Sequence, residues 1–542
     1  MRDVLKLRAD SAFAVRDHDP VHPRFDWDVP GEFNFGADVI DRWAHERDRP
    51  ALIWENEAGD RQTLRYSDIS RLSNKLGNAL RNSGLSKGDR VLVQLPRIPE
   101  WIISLVAIMK IGAVPIPCIE MLTARDVEYR VKNSRSAAVI CRDVHAAKFR
   151  SVEQDISIKI ALGDVPGWLN FGKMIRAGAE APASVAVAAE DPAIMYYTSG
   201  STGYPKAVVH AARAVYAWRS SALYWLDLTE NDRIWCTADT GWSKAGTSIL
   251  FGPLSCGACT LLYDGPFVPE QRLRILADNR VTVFCAPPTE LKRLLRENID
   301  RYDLSALRRA VTGGEAMDRA LGANWEAATK TKVYEAYGLT ESLIVVMNLE
   351  GMPLRYGSMG RSGPGSNVEI IDDNGEVLPA GEEGDIAVEM PHPQMMLSYW
   401  EDVERTAACF RERLGRRWFV TGDRAVKDVD GYFWYRCRAD DVISSAGYRI
   451  GPLEVEIALQ EHSSVQQCAV IGSPDPERGE VVKAFVVLAE GFSPSPDLTK
   501  ELQDHVKSMT APYKYPRVIV YLESLPMTDS VKINRRALRA LP

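Results

Sequence analysis

Short apolar runs alternate with helical patterns over most of the chain, and that alternation restricts the fold more than any other feature. Ile69, Leu72, Leu76 and Leu80 fall on one face of a helix that Ser67 or Asp68 would cap and Gly84 and Gly88 would end. Residues 91–95 then read as a strand, 99–110 as a helix, and 114–117 and 137–141 as further strands. The pattern resumes with strands at 193–197, 207–209, 234–237, 281–285 and 307–312, and helices at 270–279 and 290–296, the latter capped by Thr289. Strands joined through helices are expected to run parallel, with both sheet faces covered. The expected class is α/β: a large N-terminal domain of two parallel-type sheets with helices. Residues 1–50, rich in Asp, Arg, His and Pro, read as an irregular segment ahead of it.

From about residue 357 the character changes. Short β segments at 368–371, 384–389, 418–420 and 432–435 are separated by turn residues, notably Asp372 to Gly375 and Asp428 to Gly431. This is expected to form a β-rich subdomain over about 357–438. The last hundred residues read as a small α+β domain, with helices at 453–461 and 498–507 and strands at 468–471, 481–488 and 518–521. The expected division is 1–438 and 439–542.

Composition removes several function classes. The 542 residues carry a net charge of −7 with no dominant charge run, which argues against nucleic acid as a partner. The longest clean apolar run, 101–109, stops at Lys110 and is too short to span a bilayer. Residues 1–10 hold no apolar signal core, so a cytoplasmic enzyme is expected. Nine cysteines are scattered; Cys256 and Cys259 form the only CxxC, without a second pair or nearby histidine, which argues against zinc and for reduced thiols.

The densest chemistry lies between two apolar runs. Thr198, Ser199, Gly200, Ser201, Thr202, Gly203, Tyr204, Pro205 and Lys206 combine four small hydroxyl residues, two glycines and a lysine in nine positions. Glycine lets backbone N–H groups close around phosphate oxygens; hydroxyls add donors and Lys206 a point charge. The spacing is not that of a Walker A loop, and the same residues would also suit a polar surface loop.

Further segments follow. Gly313, Gly314, Glu315 and Ala316 make a strand-to-helix turn; Glu335, Ala336, Tyr337, Gly338, Leu339, Thr340 and Glu341 follow an apolar strand start. Thr421, Gly422 and Asp423 precede Arg438 by fifteen residues from the aspartate, and a Gly/Ser-containing run, 444–452, precedes the last helices. An ionised carboxylate such as Asp423 can accept from both hydroxyls of a cis-diol. Lys532 sits in a polar segment near the C-terminus.

In this order the motifs resemble those of the acyl-adenylate-forming, AMP-binding superfamily, with the closest likeness to medium-chain acyl-CoA synthetases. The resemblance covers roughly residues 50–542. It implies that residues 198–206 hold ATP phosphates, with Gly314, Glu315, Ala316 and the segment from Glu335 to Leu339 at adenine. Thr340 would lie beside the α-phosphate, Glu341 would bind Mg²⁺, and Asp423 with Arg438 would take the ribose. Asp440 matches the hinge about which a mobile C-terminal domain rotates. Ala446, Gly447, Tyr448, Arg478, Tyr515, Pro516 and Arg517 match coenzyme A contacts. Arg449 matches an arginine that meets phosphate or carboxylate, and Lys532 matches the catalytic lysine of adenylation. Trp242, Ser243, Lys244 and Gly246 match the acyl-lining segment, with Trp242 as a wall and the Lys244 ammonium at the surface.

The implied reaction joins a carboxylic acid, ATP and CoA through an acyl-adenylate, the acid being short- to medium-chain and open to branching or hydroxylation. An aromatic acid, loading of a carrier protein, and nucleotide binding without catalysis are the alternatives. The chain departs from the family pattern at Leu339 (commonly Gln), Cys437 (Gly), Met527 (Lys) and Val531 (Gly).

Overall fold

The computed structural model describes residues 27–198, 205–445, 448–475, 478–510, 512–528 and 533–541. The chain forms two compact units, 1–368 with 388–410, and 369–387 with 411–542.

The first unit is built on three sheets. The largest has nine strands in the order Arg361–Ser362, Leu343–Met347, Val333–Leu339, Arg309–Gly313, Val283–Cys285, Arg233–Cys236, Cys259–Asp264, Pro50–Asn56 and Arg61–Arg65. Its six middle strands are parallel, and antiparallel strands close each edge. A second sheet of five strands, with Arg90–Gln94 between Val114–Cys118 and Ala138–Cys141, is parallel throughout. Both sheets match the expected class; inner strands such as Ala138–Cys141 and Arg309–Gly313 are buried along their length, as in sheets covered on both faces.

The third sheet was not legible as such. Pro192–Thr198 and Lys206–Ala211 pair antiparallel, with Thr198 opposite Lys206, and Ser398–Tyr399 adds to the second of them.

Several boundaries moved for identifiable reasons. The helix Tyr66–Asn82 starts earlier than Ser67 would allow: Arg65 is its N-cap, and the Asp68 carboxylate accepts from the Arg65 backbone N–H at 3.0 Å. Pro287, not Thr289, caps Pro288–Leu294, because proline suits the first helical position. The helix Pro99–Lys110 has its expected ends. Part of the supposedly irregular N-terminal segment is helical, over Gly36–Asp41 and Arg42–Glu46.

That N-terminal helix is held by a buried ion. The Lys110 side chain is 0 % exposed, and its ammonium donates to Asp41 Oδ1 at 2.5 Å, Asn74 Oδ1 at 2.7 Å and Ser70 O at 3.2 Å. All three of its donors are met, which is the condition for burying a charge. Lys110→Ala is expected to lower the stability by about 3 kcal/mol, since it strands the partners of a buried pair. The midpoint of urea unfolding checks this; an unchanged midpoint would show the pair to be dispensable.

The second unit contains the β-rich segment and the C-terminal α+β segment. Arg416–Lys427 is one strand of 12 residues, much longer than the expected 418–420, and pairs antiparallel with Phe433–Arg438. Their joining turn has Gly431 at φ +83°, and Asp428 Oδ1 accepts from the N–H groups of Asp430 and Tyr432. Farther on, Val465–Asp475 and Gly479–Leu488 form a long antiparallel pair, flanked by Pro452–Gln460, Pro496–Met509 and Val518–Tyr521. Among the described residues no helix is long and apolar enough to cross a membrane, and all nine cysteines are free.

Candidate active site

The parallel strands of the nine-stranded sheet end together, and in open α/β sheets the crevice beyond such carboxyl ends is where ligands bind. Three of the sequence-identified segments meet there. Arg309–Gly313 runs into the turn at Gly314, whose φ of +90° is one that glycine adopts without strain. Next to it Val333–Leu339 carries Glu335, Ala336, Tyr337, Gly338 and Leu339 along one strand, in register with Ala310 to Gly313. The chain turns at Thr340 and Glu341 and returns as Leu343–Met347. The helical segment after Trp242 closes the group: Ser243 Oγ and Thr340 Oγ1 are 3.4 Å apart, and Lys244 Nζ donates to Gly313 O at 3.0 Å.

Lys244 therefore does not hold its ammonium at the surface. It is half-buried and ties the segment matched to acyl lining to the turn matched to adenine. Trp242 is also half-buried and packs against the apolar cluster containing Ile119, Leu122 and Met195. Gly246 is fully buried against Tyr196, and a Cβ there would overlap the tyrosine hydroxyl.

Glu335 is 4 % exposed. Its Oε1 accepts from Met317 N–H at 3.4 Å, and its Oε2 has no partner among the described residues. Burial pushes the carboxyl up to about 8, the single hydrogen bond offsetting little of the desolvation. An orphaned polar atom beside the Gly314 turn is a ready contact for a polar heterocycle.

Glu341 is buried as well, and Tyr399 donates its hydroxyl to Glu341 Oε1 at 2.6 Å. Desolvation, then the neighbouring carboxylate, raises the Tyr399 hydroxyl far above its usual range, so it remains a donor. The Lys206 ammonium stands 5.2 Å over the Tyr399 ring. Tyr399 thus links the only described lysine of the Thr198–Lys206 loop to the carboxylate matched to magnesium. Sequence reasoning missed it: a tyrosine in a two-residue strand far along the chain carries no local signal. His210 was missed for the same reason; its Nε2 lies 2.8 Å from Thr340 O.

In the second unit Asp423 and Arg438 face each other in register, with Oδ1 to Nη1 at 3.3 Å. Asp423 is 6 % exposed and Gly422 has a φ of +74°, which lets the chain bend beside the Arg438 guanidinium. Arg517 Nη1 donates to Tyr515 Oη at 2.9 Å, and Lys507 stands 4.3 Å over the Tyr515 ring, a cationic and aromatic face suited to phosphate and a flat base. Pro516 leads into this strand, and the Arg478 backbone N–H is held by Asp475 at 2.9 Å. Asp440 lies in the single turn Ala439–Asp441, and Tyr448 and Arg449 lie in the strand Tyr448–Ile450; only the backbone of these three is described. Ser199, Gly200, Ser201, Thr202, Gly203, Ala446, Gly447 and Lys532 lie outside the described residues. Glu315 and Ala316 lie in the turn between Gly314 and Met317.

This arrangement defines a class before it defines a relative. The AMP-binding enzyme family model matches residues 40–400, and the AMP-binding enzyme C-terminal domain model matches 454–532. The chain belongs to this family. It is 40 % identical over 531 residues to the human mitochondrial acyl-coenzyme A synthetase ACSM5, covering 94 % of this chain and 91 % of that one. It is 41 % identical to an uncharacterised acyl–CoA ligase, YtcI, of Bacillus subtilis strain 168, covering 95 % and 97 %. Among solved structures it is similar to the anthranilate CoA ligase AuaEII in complex with anthranoyl-AMP, at 30 % identity, 95 % and 98 % coverage and a TM-score of 0.85. A benzoate CoA ligase from Burkholderia xenovorans LB400 follows at 29 % identity, 94 % and 100 % coverage and a TM-score of 0.80. The chain is an AMP-forming acid–CoA ligase, an acyl-CoA synthetase that uses ATP and CoA.

Proposed function

We propose that the acid is short- to medium-chain and that the motif residues divide the reaction between them. The observation that carries this is the contact between Ser243 and Thr340: it sets the acyl-lining segment against the residue matched to the α-phosphate. A carboxylate held there can attack α-phosphorus in line, with pyrophosphate leaving toward the loop of Thr198–Lys206. Such chemistry needs positioning and charge stabilisation more than covalent help. Lys206, and Lys532 brought in by the mobile segment, would neutralise developing charge. Arg449 would meet phosphate or carboxylate. Asp423 and Arg438 would take the ribose. Glu341 fits Mg²⁺, a hard cation that keeps few protein oxygens and bridges phosphates; bound there, the ion would offset phosphate charge.

After adenylation, rotation about Asp440 would exchange Lys532 for the face bearing Gly447, so that pantetheine passes where no side chain obstructs it. The Arg517–Tyr515–Lys507 face supports CoA over a carrier protein as acceptor. The aromatic floor under Gly246, with Tyr196, Trp218 and Phe251, supports a limit on chain length. The anthranilate and benzoate ligases among the similar structures make an aromatic acid the second reading. The nine free thiols support a reducing, cytoplasmic compartment.

Acid-dependent AMP release with ATP, Mg²⁺ and CoA, over C2–C12 linear, branched and aromatic acids, tests the proposal. A maximum below about C10 is expected. A maximum among the benzoates would favour the second reading, and turnover of only the longest acids would refute the proposed floor.

A further inference from the structure

Three buried polar atoms have no role in the steps above. Tyr196 Oη, His210 Nδ1 and Trp218 Nε1 belong to rings that are at most 1 % exposed, and none has a hydrogen-bond partner among the described residues. They form one cluster. The ring centroids of Tyr196 and His210 are 6.4 Å apart, those of His210 and Trp218 are 4.9 Å apart, and Trp218 lies 5.4 Å from Phe251. Buried polar atoms are ordinarily paired, so three on adjoining rings mark a place where a water or a ligand's polar group would bond.

The cluster is placed where the acid would extend. His210 Nε2 meets the carbonyl of Thr340 at 2.8 Å, and Thr340 also faces Ser243. Tyr196 lies with its hydroxyl against Gly246, on the segment following Trp242 and Ser243. The cluster thus touches Thr340 through His210 and Gly246 through Tyr196.

Their hydrogen-bonding roles are fixed. A carbonyl only accepts, so His210 carries its proton on Nε2. Burial pushes the imidazole down to about 3, which keeps it neutral. Nδ1 is then a bare acceptor, while the Tyr196 O–H and Trp218 N–H are donors. A hydroxyl is the small group that answers both demands, donating to Nδ1 and accepting from the two donors. A carbonyl would leave Nδ1 unmet, and an alkyl chain would leave all three unmet.

We propose that this ligase is specific for acids bearing a hydroxyl group, which Tyr196, His210 and Trp218 recognise at the end of the acyl site. The inference rests on the ligase reading above and names its substrate class more closely. A site built to bond a hydroxyl discriminates strongly against the analogue that lacks it, because its own polar groups are then left unpaired.

The test is kcat/KM for AMP release by the full chain with matched pairs: butanoate and 3-hydroxybutanoate, hexanoate and 6-hydroxyhexanoate, benzoate and its 2-, 3- and 4-hydroxy forms. In at least one pair the hydroxy acid is expected to exceed its parent by about tenfold to a thousandfold. Tyr196→Phe should collapse that ratio toward one. His210→Gln should do the same, since the glutamine amide can still donate to Thr340 O but offers nothing at the place of Nδ1. Parents turned over as well as every hydroxy partner would overturn the proposal, assign the cluster to bound water, and leave the ligase reading standing. An equal loss on both members of a pair in both variants would make the cluster structural and also overturn it. Absence of AMP release with every acid would bring down the ligase reading and this inference with it.

Discussion

Lys532→Ala is expected to slow acyl-AMP formation by about 10²–10³, the usual loss when one preorganised charge is removed from a developing anion. Thioester formation from preformed acyl-AMP and CoA should change by no more than about threefold, because in the proposed cycle the rotation about Asp440 carries this lysine away before the thiol attacks. The two half-reactions are read separately: pyrophosphate exchange for the first, and single-turnover CoA consumption from synthetic acyl-AMP for the second. Equal losses in both would refute the alternation, and no loss in the first would remove Lys532 from the chemistry. The family departures at Met527 and Val531 bear on the flanking backbone; Val531 lies outside the described residues, and Met527 lies within them. Met527 pairs with Ile533 in an antiparallel bridge, and Asn534 N–H donates to Pro526 O at 2.8 Å. The substitution at Met527 therefore leaves intact the pairing that brackets the lysine.

Local patterns carried the helices and strands that bury an apolar face, such as Pro99–Lys110 and Arg90–Gln94. They also carried every motif whose residues are consecutive, so Gly313 to Ala316 and Glu335 to Glu341 were legible as segments. What joins segments was not legible. Nothing near Lys244 indicates that its ammonium ends on the carbonyl of Gly313, 69 residues on, and a lysine read alone belongs to solvent. Tyr399 acquires meaning only because Ser398–Tyr399 pairs beside Lys206–Ala211 and so brings its hydroxyl to Glu341. The length of Arg416–Lys427 was hidden because a glycine, Gly422, interrupts the strand pattern and weakens its signal. In the sheet Gly422 takes a left-handed φ while Asp423 remains paired with Arg438. The helix Gly36–Asp41 was hidden because its stabilising partner, Lys110, lies on another helix.

Glu335 should make the stability of the unliganded protein depend on pH in a window that one substitution removes. Its folded-state value, about 8, stands above the ordinary 4.5, so the folded chain binds a proton here that the unfolded chain releases. The stability this proton provides is fully present below about pH 4.5 and is lost as pH rises to about 8, where the native state must ionise a carboxylate with one long hydrogen bond. The full span is on the order of 5 kcal/mol at the standard conversion per unit, an upper figure because any opening of the site would hydrate the charge. Glu335→Gln keeps the acceptor for Met317 N–H and cannot ionise. The variant and the parent should therefore be near parity at pH 5, with the variant melting several degrees higher at pH 8. The measurement is the difference between their melting temperatures at pH 5, 6.5 and 8, other titrating groups cancelling in the comparison. Parallel curves across that range would show that Glu335 is ionised and solvated in the native state, and would remove the protonated carboxyl from the account of the adenine side of the site.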